Sequence, residues 1–148
     1  MLTKFIELEK TISQLYRIYA NKLPEHKNFW SVLASEEMDH ANWLTMLQGQ
    51  IRHGSVHYLE DRFNLLGIET SLNYVKDQIK FAEEKNPSLA MALSIASNME
   101  ASILERKYYE CYESDVPEIK SILRDLKSAC ENHLGRVQKM LDDTKKTI

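Results

Sequence analysis

The chain has 148 residues, 28% charged side chains and a formal net charge of -3. Such a charge offers no basic footprint for nucleic acid or for an anionic membrane surface. No apolar run approaches the roughly 18–20 residues that would span a bilayer, so we expect neither a nucleic-acid nor a membrane partner. The length suits one ordinary domain, which we predict over residues 1–148. Only four glycines and three prolines favour an all-helical protein.

The first part of the chain predicts two helices joined by a short turn. Apolar periodicity indicates helices over about residues 3–21 and 26–53, with Pro24 in the turn between them. The first helix has acidic residues in its opening turns, so we interpret it as a helix rather than a secretory signal and expect a cytoplasmic protein. Gly54 suits the C-cap of the second helix.

The rest of the chain predicts three further helices. Residues 54–86 form a connection too long for a hairpin, and it contains an extra amphipathic helix at about 70–85. Asn86–Pro87 has the pattern of an N-cap followed by the first helical residue, so the next helix is predicted over 87–112. The last helix is predicted over about 116–143.

Turn lengths decide how these helices are arranged. Each of the two short joins makes an antiparallel hairpin from the helices that flank it. The long connection between the hairpins permits a crossover along the bundle. We therefore predict an all-α antiparallel four-helix bundle, with a long crossover containing an extra helix between helices two and three of the bundle.

Two of the bundle helices carry apolar heptad stripes that break at adjacent positions. The second helix breaks at Glu37 and His40, and the last helix breaks at Cys130 and His133. Residues three apart share a helix face, so each pair should point into the core. A buried carboxylate beside a histidine is unfavourable unless it is compensated, and a bound metal ion is a common compensation.

Distances from the turns place further residues at the same depth. Glu9 and Glu37 are equidistant from residue 23 in the first turn, and Glu100 and Cys130 are equidistant from residue 115 in the second. At helical rise both levels lie about 21–22 Å from their turns. Four helices are thus predicted to contribute groups at one level: Glu9, Glu37, His40, Glu100, Cys130 and His133.

Each of these signals also has a purely structural interpretation. Glu9 or Glu100 alone would more often be solvated, and a free cysteine such as Cys130 packs well in a core. The Glu37–His40 pair alone does not decide the question, because its neighbours are polar enough for the helix face to rotate. The coincidence of all the positions at one level favours an ancestral dinuclear metal site.

The two cysteines, Cys111 and Cys130, are predicted to be free thiols. Cys130 stands about 20 Å along its helix from the second turn at 1.5 Å per residue, whereas a disulfide needs Cα atoms less than about 7 Å apart. Two cysteines also cannot build a four-thiolate iron or zinc site.

These residues resemble the ferritin-like superfamily, and its rubrerythrin-like branch most closely. The di-iron arrangement of that superfamily takes one Glu from each of two helices and a Glu-x-x-His motif from each of the other two. Glu9 and Glu100 look like the single glutamates, and Glu37-Met38-Asp39-His40 matches one motif in full. Cys130-Glu131-Asn132-His133 stands where the second motif belongs. The resemblance covers almost the whole chain.

The resemblance implies a non-haem iron protein that oxidises ferrous iron with oxygen or peroxide. One or two iron ions would be bound by Glu9, Glu37, His40, Glu100 and His133, with Cys130 in the altered sixth position. Electrons would come from a separate donor protein. Ferritin-like bundles often associate, so the resemblance is compatible with a homodimer, but the sequence does not decide the oligomeric state.

The chain departs from the family pattern in three respects. Cys130 replaces a glutamate, Ile103 stands where rubrerythrins carry an extra glutamate, and we expect no rubredoxin-like domain. A thiolate at Cys130 would restore the lost charge but bias the site toward zinc or a single iron, and Glu131 could substitute only if the helix rotated by about 100°. The alternative is a degenerate bundle with a partial or absent metal site, serving as a metal-binding, sensing or scaffold protein without turnover.

Overall fold

A computed structural model of the protein describes residues 2–54, 57–58, 65–106 and 112–146. Within these ranges the secondary structure is helical apart from two very short strands. The elements in chain order are α1 (Leu2–Lys22), a 3-10 helix (Pro24–His26), α2 (Lys27–Arg52), β1 (His57–Tyr58), α3 (Leu65–Glu84), α4 (Leu89–Arg106), β2 (Tyr112–Glu113) and α5 (Pro117–Lys146). Among the described helices, none is both long and apolar enough to cross a membrane.

The bundle consists of two helical hairpins and a crossover helix. α1 packs along α2, and α4 packs along α5. The crossover helix α3 packs mainly against α1 and touches α4 only sparsely. β1 pairs antiparallel with β2, which places His57 opposite Glu113 and Tyr58 opposite Tyr112. This arrangement confirms the predicted all-α bundle with an extra helix in its long crossover.

The core is built from apolar residues that recur every three or four positions along the helices. On α1, Ile12 and Leu15 are fully buried, and burying a side chain of this kind contributes about 1.5–3 kcal/mol. Closer to the 3-10 helix, the rings of Tyr16 and Tyr19 pack on Trp30 with centroid distances of 5.5 and 4.8 Å. These three rings form an aromatic layer between the 3-10 helix and the level of Glu9 on α1.

Two helices begin at residues that differ from the predicted ones. α4 begins at Leu89, because Ser88 rather than Asn86 is its N-cap. The Met91 amide donates to Ser88 Oγ at 3.1 Å, and the Ala92 amide donates to the Ser88 carbonyl at 3.0 Å. The predicted helix start at Asn86–Pro87 was therefore wrong. Ser and Asn are both good N-caps, so the residue types alone do not favour Asn86 over Ser88, and only the backbone hydrogen bonds distinguish the two positions. α3 begins at Leu65 rather than near residue 70.

The helix ends also differ in part from the predictions. The C-cap of α2 is His53, one residue before the predicted Gly54. Gly54 follows it with a φ of 76°, a conformation that glycine adopts without strain. The helix predicted over 87–112 was too long: α4 is described to Arg106, residues 107–111 lie outside the described part, and Tyr112 pairs with β1 instead of continuing a helix. α5 continues to Lys146.

Of the two predicted free thiols, Cys130 is free and buried. Cys111 lies outside the residues that the structure describes.

Candidate metal centre

The six side chains predicted to share one level come together in the middle of the bundle. All are buried, with exposed fractions between 1% for His133 and 7% for Cys130. Their helices are α1, α2, α4 and α5, so the extra helix α3 contributes none of them. The group consists of Glu9, Glu37, His40, Glu100, Cys130 and His133, and we call it the buried cluster.

Glu37 is in contact with both histidines of the buried cluster. Its Oε1 lies 2.8 Å from His133 Nδ1, and its Oε2 lies 3.2 Å from His40 Nδ1. The same His40 nitrogen lies 3.7 Å from Glu9 Oε2. One carboxylate therefore links the first hairpin, which carries Glu37 and His40, to the second, which carries His133.

Glu100 is the corresponding carboxylate on the other side of the cluster. The Tyr16 hydroxyl donates a hydrogen bond of 2.8 Å to its Oε1, and the Cys130 thiol lies 3.5 Å from its Oε2. His133 Nδ1 lies 3.5 Å from Glu100 Oε1. In the absence of metal, the thiol that replaces the expected glutamate acts as a donor to Glu100 and not as a further acceptor.

The protonation states of the cluster follow from burial and from these contacts. Burial alone lowers the pKa of His40, but hydrogen bonds with Glu37 and Glu9 raise it to about 11. Burial also lowers the pKa of His133, yet hydrogen bonds with Glu100 and Glu37 raise it to about 10. Burial and the charge of Glu37 raise the pKa of Glu9 to about 8. Without a metal ion, protons on these three groups therefore balance the buried negative charge.

Two further shifts complete the electrostatics of the cluster. Burial raises the pKa of Glu37, but hydrogen bonds with Glu9 and the two histidines outweigh it and hold the pKa below its usual value. Burial, followed by the charges of Glu100 and Glu9, raises the pKa of the Cys130 thiol far above its usual range. Cys130 is accordingly a neutral thiol beside its carboxylate neighbours in the metal-free protein.

Two residues that were not predicted support the cluster from outside: Glu36 contacts His133, and Arg136 contacts Glu36. Glu36 Oε2 lies 3.1 Å from His133 Nε2, the ring nitrogen that faces away from Glu37. Arg136 binds the Glu36 carboxylate through two nitrogens, at 3.0 and 2.6 Å, and also donates to Asn132. The Arg136 hydrogen bond is the main reason that the pKa of Glu36 is lowered. The spacing of His133 and Arg136, three residues apart on one helix, was the signal available in the sequence.

The donor set of the cluster fits a divalent metal ion. Ligand atoms of Glu37, His40 and His133 lie within 4.8 Å of one another, and the Glu37 oxygens lie 2.8 and 3.2 Å from the two histidine nitrogens. A void of about 10 Å³ lies among the cluster side chains, bounded also by Phe5, Ile103 and Leu126, and that is close to the space one water molecule needs. Carboxylate oxygens and imidazole nitrogens suit iron, manganese and zinc.

A polar opening connects the cluster to the surface between α2 and α5. This cavity of about 220 Å³ is lined by Glu36, Asp39, Asn132 and both cluster histidines, with Trp43 and Ala129. The Trp43 ring packs on the His40 ring with a centroid distance of 5.4 Å. Its rim carries two carboxylates, that of Glu36, which Arg136 pairs, and that of the exposed Asp39.

Comparison with known proteins gives one match. The family model described as Rubrerythrin matches residues 1–141. Searches of curated proteins and of solved structures find no significant match. The family match covers nearly the whole chain, agrees with the all-α bundle, and includes every residue of the buried cluster. The chain therefore belongs to the rubrerythrin family.

Proposed function

We propose that the buried cluster binds iron, as one ion or as a dinuclear centre. The ligands are Glu9, Glu37, His40, Glu100 and His133, with Cys130 in the sixth position. The observation that supports this most is the grouping of ligand atoms from Glu37, His40 and His133 within 4.8 Å in a fully buried setting. Three buried carboxylates need positive charge nearby, and a divalent cation supplies it without the protons that the metal-free cluster holds.

Iron bound there would supply the exchange of electrons with oxygen or peroxide, so the proposed activity is that of an oxidoreductase acting on ferrous iron. The remaining roles belong to the side chains. The three glutamates and the two histidines would hold the metal, and Nδ1 is the histidine nitrogen that faces Glu37 in each case. Tyr16 fixes Oε1 of Glu100 by its 2.8 Å hydrogen bond, while Oε2 of Glu100 faces the Cys130 thiol.

Glu36 is proposed to orient His133 for metal binding. Carboxylates that accept a hydrogen bond from the second ring nitrogen of a histidine fix its tautomer and raise its basicity as a ligand. Glu36 accepts such a hydrogen bond from Nε2 of His133, and Arg136 holds the Glu36 carboxylate in place. His133 would then give up the Nδ1 proton, which faces Glu37, when a metal ion binds.

Cys130 distinguishes this site from one with the full family pattern, which has a glutamate at the same position. A fourth carboxylate would contribute one more negative charge toward balancing two ferrous ions, and a neutral thiol does not. If Cys130 ionises on binding, its softer sulfur favours zinc or a single iron. The electron donor would be a separate protein, and the location is proposed to be cytoplasmic.

A second function is favoured by the contacts of Cys130 and His133. The thiol has a carboxylate acceptor in Glu100, and both ring nitrogens of His133 face carboxylates. These groups satisfy one another without metal. The alternative is therefore a degenerate bundle that serves as a metal-binding, sensing or scaffold protein without turnover.

Metal analysis separates the two functions. Protein purified without added iron is loaded with ferrous iron under anaerobic conditions, and bound metal per chain is measured before and after exposure to air. One or two tightly bound ions, with a ferric absorption band after aeration, support the first function. The variant Glu37→Gln should lose this binding, whereas Glu131→Gln, at an exposed position of α5, should keep it. Absence of stoichiometric metal in the wild-type chain would support the second function.

A further inference from the structure

A second cavity lies on the side of the cluster opposite the polar opening. It has a volume of about 290 Å³ and is formed between the crossover helix α3 and the helices α1 and α4. It exists because α3 packs closely on α1 but only sparsely on α4. Its deep wall is apolar and contains Leu8, Ile12, Val75, Met99 and Ile103.

The chemistry of this cavity differs from that of the polar opening. None of the described residues that line it carries a charge, and its polar groups are hydroxyls and an amide, such as Tyr74 and Asn98. An uncharged, mostly apolar lining disfavours ions, because nothing there replaces their hydration. The cavity is half open to solvent at the exposed Tyr74 and Asn98, and its apolar wall is the part that suits a small apolar molecule or xenon.

One residue connects this cavity to the buried cluster. Ile103 lines both the apolar cavity and the void of about 10 Å³ among the cluster side chains. Leu8 and Met99, which also line the cavity, immediately precede Glu9 and Glu100 in the sequence. Ile103 is thus the described residue that borders both the apolar cavity and the void of the cluster.

We propose that the cavity between α1, α3 and α4 binds dioxygen and admits it to the buried cluster past Ile103. This rests on the proposed function for its choice of occupant, since dioxygen is a small, uncharged and apolar reactant of that function. The protein then has two separate routes to the buried cluster, one for cations and one for dioxygen. Cations reach the histidines through the polar opening between α2 and α5, and dioxygen reaches the glutamates from the apolar side.

Xenon tests the cavity without any metal. Crystals of metal-free protein are pressurised with xenon, and its position and occupancy are measured by diffraction. We expect xenon in the cavity between α1, α3 and α4, and we expect Asn98→Trp, at an exposed position of the rim, to abolish it. The matched control Ser94→Trp places the same ring one turn earlier on the exposed face of α4 and should leave the xenon in place. No xenon in this cavity, or equal xenon in wild type and Asn98→Trp, would overturn the proposal.

Reactivity provides the second measurement. Ferrous-loaded wild type, Asn98→Trp and Ser94→Trp are mixed with dissolved oxygen in a stopped-flow instrument at equal metal content. Asn98→Trp should be oxidised several-fold more slowly, and Ser94→Trp should match the wild type. Equal rates in all three would also refute the cavity as the route. If xenon binds but the protein takes up no metal, the proposed function is refuted and the apolar binding site is retained. If metal binds and xenon does not, the apolar binding site is refuted and the proposed function is retained.

Discussion

The Nδ1 atom of His133 lies 2.8 Å from Oε1 of Glu37, which joins α5 to α2 by a buried polar contact. The two residues belong to different hairpins, and both are among the proposed metal ligands. Because the other nitrogen of His133 also faces a carboxylate, both nitrogens carry protons in the metal-free protein. Metal binding at this point is therefore an exchange of a proton for a cation.

Replacing Glu36 should weaken metal binding without removing a ligand. Glu36→Gln replaces the charged acceptor at His133 Nε2 by a neutral amide, and loss of such a partner lowers metal affinity by about 10–100-fold. Competition with a chromophoric chelator measures the affinity. Asp39→Asn is the matched control, because Asp39 lines the same opening at an exposed position. Equal losses in both variants would mean that only the charge of the opening matters.

Replacing Cys130 by glutamate should strengthen the centre. Cys130→Glu supplies the fourth carboxylate that the family pattern contains, so iron bound per chain, or the rate of ferrous oxidation, should rise. Cys130→Ser is the control, since it removes the thiol without adding charge. A glutamate variant that folds, as judged by its thermal melt, and binds no more iron than the serine variant would contradict this expectation.

The metal-free protein should lose stability as the pH rises. Folding raises the pKa of His40 from 6.5 to about 11 and that of His133 from 6.5 to about 10. Their stabilisation is fully present below pH 6.5 and is lost as the pH rises through the folded values. The pKa of Glu9 is raised from 4.5 to about 8, so its contribution to stability is also lost as the pH rises, between these two values. Melting temperatures of chelator-treated protein should therefore fall between pH 6.5 and 10, by roughly 2–4 °C for each 1 kcal/mol lost.

Metal-loaded protein should show the opposite trend over the lower part of this range. Metal ions compete with protons for the histidines and glutamates, so metal affinity, and with it the added stability, increases with pH. The control is His133→Gln without metal, in which the fall of melting temperature with pH should be smaller. Parallel curves for the loaded and metal-free wild type would show that the cluster does not couple protons to metal.

Removing two buried hydroxyls should have different effects. Tyr16→Phe removes the 2.8 Å donor of Glu100 Oε1 and leaves this atom only the 3.5 Å contact with His133 Nδ1. Loss of such a buried hydrogen bond to a charged acceptor costs about 1–3 kcal/mol of unfolding free energy. Tyr19→Phe is the matched control on the same helix, because the Tyr19 hydroxyl has no hydrogen-bond partner among the described residues and its loss should be nearly neutral. Urea unfolding of both variants measures the difference, and equal effects would refute the role given to Tyr16.

The bundle and the membership of the cluster could be predicted because they depend on regular spacing. Helical periodicity places Glu37 and His40 on one face, and equal distances from a tight turn place Glu9 beside Glu37. Neither step needs a side-chain conformation. The apolar faces of the helices then leave few alternative arrangements.

Glu36 could not be predicted in the same way. It lies about 100° around the helix from Glu37, on a half-buried position, and reaches His133 only because α5 places Arg136 beside it. Such a contact depends on the rotation of two helices that belong to different hairpins. The start of α4 was missed for a more local reason, since Asn86 and Ser88 are equally suitable caps and the choice depends on which backbone bonds form.

The packing between α2 and α5 is sparse, and the polar opening lies along it. The backbone hydrogen bonds of each helix run within that helix, so this opening can widen without breaking any of them. We therefore expect the lifetime of a bound ion to depend on rotation of the Glu36 and Arg136 side chains, and not on the unfolding rate of the bundle. The bound metal ion would then dissociate quickly from a protein that nevertheless has a high melting temperature.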